Sequence, residues 1–207
     1  MEKFVFSLCL CLLPGLIFAT DILIVGDSIS TAYGLKRDQG WVTLLQQKLR
    51  NETHNLKIIN ASISGETTGG GMARIDRMLE QHRPDIVILE LGGNDGLRGF
   101  SPKLIKSNLS KMIKRSQDKD AEVLLLGMRI PPNYGKRYTE LFANIYSQLA
   151  KEYRISLVPF LLNGIGTRSD LMQQDGIHPN AKAQPIIMEM VLLNLKPMIE
   201  HQIQPNR

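Results

Sequence analysis

A serine, an aspartate and a histidine each stand where they could do chemistry. Ser28 follows the apolar run Ile22–Val25 through Gly26-Asp27, so a strand-like segment ends abruptly on a hydroxyl. His178 sits in Asp175-Gly176-Ile177-His178-Pro179, a loop bounded by glycine and proline. A serine hydroxyl attacks a carbonyl only when a base takes its proton, and histidine is the usual base near neutral pH. Of the four histidines, His54 falls in a polar turn, His82 closes a predicted helix where a cation suits the dipole, and His201 lies in the C-terminal tail. Only His178 sits in a glycine- and proline-bounded loop with an aspartate three residues before it. A tight turn over Gly176 folds the Asp175 carboxylate back onto the imidazole, which fixes its tautomer and stabilises the imidazolium. Acyl transfer also needs donors for an oxyanion. The amides of Ser28 and Gly65 and the side chain of Asn94 are the candidates, and glycine at 65 lets the backbone approach closely. Taken singly, these segments are ordinary turns or helix caps. Together they supply nucleophile, base, orienting acid and oxyanion donors. Asp27 and Asp95 are read as structural, accepting loop amides.

Such residues must be positioned by the ends of strands. Ile22–Val25, Leu56–Asn60, Ile86–Leu91, Val123–Met128 and Ser156–Phe160 read as five strands. Apolar residues at helical spacing separate them and predict helices around Trp41–Leu49, Met72–Leu79, Pro102 to about residue 117, Tyr138–Tyr153 and Ala181–Leu195. This alternation predicts one α/β domain with a mostly parallel sheet covered on both faces. Open parallel sheets carry their working groups beyond the carboxyl ends of the strands. Ser28, Gly65 and Asn94 each follow a predicted strand, and His178 precedes the last helix.

The 207 residues, 43% hydrophobic and 22% charged, suit one folded domain and exclude a disordered chain. The net charge of +5 is dispersed, with no basic run interleaved with aromatics, so no nucleic-acid partner is predicted. Mild attraction to anionic lipid surfaces fits the charge as well. Residues 1–19 differ from the rest: Lys3 precedes a nearly unbroken apolar run from Phe4 to Phe18, and Ala19 is small. This pattern reads as a secretory signal peptide, with one domain over 20–207. The run is short for a membrane span and is interrupted by Pro14-Gly15. The two cysteines, Cys9 and Cys11, both fall within it, each after a leucine, which argues against lipidation. The processed chain then has no thiol, so a cysteine nucleophile and a thiolate metal site are excluded. With no heptad or apolar interface in view, a monomer is expected.

Gly26-Asp27-Ser28-Ile29, Gly65, Gly92-x-Asn94-Asp95 and Asp175-x-x-His178, in this order, resemble the sequence blocks of the SGNH hydrolases, or GDSL esterases and lipases. Ile29 replaces the leucine of the GDSL block, a change of packing rather than chemistry. The longer stretches NASISGET, LELGGNDGLRGF, RIPPNYGKRY and DGIHPNAKAQP are similar to the periplasmic thioesterase, arylesterase and lysophospholipase branch of that family. The resemblance spans essentially all of residues 20–207. It implies a three-layer α/β/α sandwich of flavodoxin-like type around a mostly parallel five-stranded sheet. It also implies a Ser28–His178–Asp175 triad, an oxyanion hole of Ser28, Gly65 and Asn94, and acyl thioesters, aryl esters or lysophospholipids as substrates. No metal or cofactor is needed. With the leader, it implies a periplasmic location, secretion beyond an outer membrane being left open. Gly69-Gly70-Gly71 is richer in glycine than this branch leads one to expect, and predicts a later helix start or a more mobile wall. It is not a phosphate loop, because no Gly-Lys-Ser/Thr follows. The acyl chain needs an apolar groove. Leu97 and Phe100, on a loop with glycines at 96 and 99, are expected to close over it, with Pro131 and Tyr134 as the opposite wall. The alternatives are a carbohydrate O-acetyl esterase and a non-catalytic acyl- or lipid-binding protein of the same fold.

Overall fold

Five apolar runs become the five strands of one sheet: β1 (Thr20–Gly26), β2 (Leu56–Asn60), β3 (Ile86–Glu90), β4 (Glu122–Leu126) and β5 (Ser156–Val158). The structure is a computed structural model that describes residues 20–52 and 56–203. The leader 1–19 with its two cysteines, and His54, lie outside the described residues. The strand order is β2-β1-β3-β4-β5, all parallel, with Ile22 level with Ile58 on one side and with Ile86 on the other. Parallel neighbours need crossovers, and helices supply them: α1 (Trp41–Glu52), α2 (Thr68–His82), α4 (Pro102–Gln117) and α5 (Lys136–Tyr153), with a short α3 (Gly93–Leu97) just after β3 and a closing α6 (Gln184–Ile203) after the last strand. Helix α1 packs on α6, while α2 packs on α4 and α4 on α5. The helices thus form two layers and the sheet lies between them.

The burial pattern follows from this sandwich. Every residue of β3 is buried, as its near-continuous apolarity predicts for a strand covered on both faces. Ile22, Leu23, Ile24 and Trp41 are fully buried. Burying an isoleucine or leucine side chain contributes about 1.5–3 kcal/mol, so a frame of this kind holds the strand ends firmly. Three element ends differ clearly from those predicted. Strands β4 and β5 stop at Leu126 and Val158, before the glycine and proline that follow. Helix α6 runs to Ile203 through Pro197 rather than stopping before it. The proline leaves the carbonyl of Leu193 without its usual donor. Leu193 is itself 77% exposed, so the break falls on the outer face of the helix.

Helix α2 also departs from expectation. It starts at Thr68 and takes in all three glycines, with Thr67 as its N-cap accepting from the Gly70 amide at 3.3 Å. Close packing explains Gly71: a Cβ there would meet Leu91 Cδ1 at 2.4 Å and Met112 Sδ at 3.2 Å. The glycine lets α2 lie against the end of β3. The Thr68 amide and hydroxyl then bond both oxygens of the buried Asp95 carboxylate, at 2.8 and 2.6 Å.

Candidate active site

Ser28, Asn94 and the Asp175–His178 loop meet at the carboxyl ends of the strands, where a parallel sheet leaves room for them. His178 Nε2 lies 2.9 Å from Ser28 Oγ, and His178 Nδ1 lies 2.7 Å from Asp175 Oδ2. With Nδ1 protonated toward the carboxylate, Nε2 is left to accept the serine proton. The turn is built as its composition suggests. Asp175 Oδ1 accepts the amides of Ile177 and His178, at 2.9 and 3.0 Å, and Gly176 takes the left-handed φ of 65° between them. Partial burial acts to raise the Asp175 carboxyl. The bonds from the His178 amide and ring and from the Ile177 amide outweigh it and hold the group down at about 2.

The candidate oxyanion donors are fixed from below. The Asn94 amide gives one N–H to Asp27 Oδ2 at 2.9 Å, and a carboxamide nitrogen has a second to offer. Asp27 also accepts the Ile29 amide at 3.1 Å, so one carboxylate ties the turn after Ser28 to Asn94. Gly65 has φ 76°, a left-handed conformation that favours glycine, and Arg98 donates to its carbonyl at 3.2 Å. Asp27 and Asp95 therefore do the structural work expected of them.

Three contributors were not read from the sequence. Glu90, the last residue of β3, is fully buried; its Oε2 accepts the Asp27 amide at 3.1 Å and the Ser30 hydroxyl at 2.6 Å, and its Oε1 has no hydrogen-bond partner. Burial first, and then the neighbouring charge of Asp27, push its carboxyl well above the usual range. Burial also raises Asp27, but the bonds from Ile29 and Asn94 oppose the rise. Of the pair, Glu90 is the carboxyl pushed higher. A lone glutamate inside the run IVILE was the available signal. Tyr33 lays its ring on the His178 imidazole, 4.6 Å between centroids and tilted by 39°. Gln173 clips the two segments together, donating to the Tyr33 carbonyl at 2.7 Å and the Pro179 carbonyl at 3.2 Å.

Beside Ser28 runs a mostly apolar groove of about 440 Å³, lined among others by Ile29, Leu97, Ile130, Pro131, Leu162 and Ile177. Leu97 and Pro131 thus stand on it. Phe100 and Tyr134 do not: Phe100 points outward, 39% exposed, and the Tyr134 hydroxyl braces the Leu97 carbonyl at 2.8 Å. The far wall comes from the segment after β4 that holds Pro131 and from the segment after β5, for which the sequence offered no expectation.

A family model described as the GDSL-like Lipase/Acylhydrolase family matches residues 24–185. The chain belongs to that family. As one of its hydrolases, it is 47% identical over 192 residues to the esterase TesA of Pseudomonas aeruginosa, covering 93% of this chain and 96% of that one. It is 43% identical to the thioesterase 1/protease 1/lysophospholipase L1 of Escherichia coli K12, covering 88% of this chain and 86% of that one. Among solved structures, a psychrotrophic esterase EstA from Pseudoalteromonas sp., inhibited by monoethylphosphonate, superposes with a TM-score of 0.83 at 45% identity. The match covers 87% of this chain and 99% of that one. The hydrolase therefore has the SGNH α/β fold and acts on ester or thioester bonds.

Proposed function

We propose that the protein is an exported, monomeric serine esterase of broad acyl specificity, taking acyl thioesters, aryl esters and lysophospholipids through a Ser28–His178–Asp175 triad. The observation that carries this reading is the continuous pair of contacts from Ser28 Oγ to His178 at 2.9 Å and on to Asp175 at 2.7 Å, beside an apolar groove. His178 Nε2 takes the Ser28 proton as Oγ attacks the acyl carbonyl. The oxyanion is received by the Ser28 and Gly65 amides and the second N–H of Asn94. His178 then protonates the departing alcohol or thiol. Water repeats the sequence on the acyl-enzyme, and the acid leaves. Every step uses this chain's own groups.

The groove favours a hydrocarbon acyl chain over the sugar of a carbohydrate O-acetyl esterase, since aliphatic side chains line most of it. Export rests on the leader at 1–19, with processing after Ala19 and a periplasmic destination. Among the described residues no helix is long and apolar enough to cross a membrane. The test is hydrolysis of p-nitrophenyl esters from acetyl to palmitoyl by wild type and Ser28→Ala. Turnover that rises with chain length beyond acetyl and disappears in the variant is expected. Acetyl-only turnover points to the sugar enzyme, and none in folded wild type points to a binding protein.

A further inference from the structure

Each of the five strand-end loops around the candidate site exposes one large apolar side chain: Tyr33 after β1, Ile63 after β2, Phe100 after β3, Tyr134 after β4 and Ile177 after β5. In a parallel α/β sandwich the helices return antiparallel to the strands, so their N-termini lie at this same end. Three of them add Leu104, Leu141 and Ile186, each 42–51% exposed in the first two turns of α4, α5 and α6. Eight of the ten large apolar residues exposed among the described residues therefore gather at one pole; Leu193 and Ile203, further along α6, are the other two. Scattered exposure of single apolar residues is ordinary, but this distribution is not scattered.

The charge at this pole is predominantly positive. Acidic residues ordinarily occupy the first turn of a helix, where they meet the positive end of the dipole. None of the five long helices has one there. Lys103, Lys136 and Arg137 occupy first turns instead, against the dipole. The loops add exposed Lys36, Arg37, Arg98 and Lys182. The exposed carboxylates here are Asp38, Glu140, Asp170, Asp175 and, in the second turn of α6, Glu189; Glu140, Asp170 and Asp175 face Lys136, Arg168 and His178. Positive helix ends and basic side chains thus surround the apolar tips.

We propose that this pole is an interfacial docking surface for anionic lipid, which seats the mouth of the acyl groove on a micelle or bilayer. Apart from Ile177, which also lines the acyl groove, the apolar tips stand singly on separate loops and helix starts rather than lining one groove. That arrangement makes no use of a partner's shape, but it suits a fluid surface, with tips at the acyl boundary and cations among the headgroups. The inference adds a docking step to the proposed esterase, but the surface exists independently of the chemistry.

The test is flotation with vesicles of phosphatidylcholine alone and of phosphatidylcholine and phosphatidylglycerol in equal parts. Wild type, Lys103→Glu/Lys136→Glu/Arg137→Glu and Leu104→Ser/Leu141→Ser/Ile186→Ser are purified alike after export, so any contribution of residues 1–19 is common to all. Thermal melting checks folding, and turnover of soluble p-nitrophenyl acetate, expected unchanged in both variants, reports the Ser28 reading separately. Wild type is expected to bind the anionic vesicles at least tenfold more tightly, and less so as salt is added. About a fivefold loss per basic residue removed, before the repulsion of the three glutamates, makes the charge variant at least about a hundredfold weaker. The serine variant should lose at least tenfold. Equal or absent binding of wild type to both vesicles, or undiminished binding by either variant, would overturn the proposal; absent binding would leave the pole to an acidic protein partner.

Discussion

Replacing Gly71 with alanine should damage both stability and catalysis, whereas the same change two residues earlier should help stability and leave catalysis alone. At Gly71 the new Cβ would sit 2.4 Å from Leu91 Cδ1 and 3.2 Å from Met112 Sδ. Both neighbours are fully buried, so neither can swing into solvent. Overpacking of this kind costs about 1–3 kcal/mol, offset by about 0.5–1 kcal/mol from alanine's better helix propensity. A net loss of about 1–2 kcal/mol lowers Tm by about 2–8 °C in a domain of this size. At Gly69 the Cβ would meet nothing nearer than Thr67 Oγ1 at 3.6 Å, so only the propensity gain remains, about 1–4 °C upward. The catalytic effect has a route. Relief of the clash pushes α2 away from β3, and Thr68 on that helix anchors Asp95, the neighbour of Asn94. The kcat of Gly71→Ala on p-nitrophenyl butyrate should fall severalfold with little change in KM, as expected when a donor to the transition state is misplaced. Thermal melts and steady-state kinetics on the two variants check this. Equal Tm shifts, or a Gly71→Ala variant as stable and active as wild type, would refute the close-packing account of α2.

Glu90→Gln should fold, because its amide oxygen can still accept from Asp27 and Ser30. The raised carboxyl of wild-type Glu90 means the folded state binds the extra proton. Wild-type stability therefore falls as pH rises above the unfolded carboxyl value toward the folded one, by about 1.4 kcal/mol per pH unit for one proton; urea titrations across pH should find a smaller slope in the variant, where only the raised Asp27 is left. Asp175→Asn should lower kcat by about 10³–10⁴ by losing the tautomer-fixing acceptor. Asp175 itself is depressed to about 2, so its contribution to stability is present above the unfolded value of about 3.9 and is lost as pH falls toward 2. Acid unfolding of Asp175→Asn, followed by circular dichroism, should lack that contribution. Leu162→Trp fills part of the groove and should cut kcat/KM on palmitoyl esters at least about tenfold while leaving acetyl esters within about twofold.

The sheet was legible because its strands are short apolar runs punctuated by glycine, proline and polar residues. The residues that meet at their ends were legible because a parallel sheet sends every such segment to the same pole. What the sequence hid was contact between distant segments. Gly69-Gly70-Gly71 reads as helix-breaking, and only the presence of Leu91 and Met112 beneath Gly71 explains a helix there. Glu90 was absorbed into an apolar run, since its partners Asp27 and Ser30 lie about sixty residues away. Phe100 and Leu97 look equivalent on one loop, yet Leu97 lines the groove and Phe100 faces outward. The last helix reads as ending at Leu195, yet it runs on through Pro197 to Ile203, the break falling on its exposed face.

The central claim is that Ser28 forms the covalent acyl-enzyme, and stoichiometric labelling tests it most directly. A p-nitrophenyl alkylphosphonate would be incubated with the enzyme, nitrophenol release counted, residual esterase activity followed, and the adduct located by peptide mass spectrometry. The account predicts one nitrophenol per chain, activity lost in step, the phosphonyl group on Ser28, and no reaction of Ser28→Ala. A fully labelled enzyme that still turns over esters, or an adduct on any other residue, would contradict it.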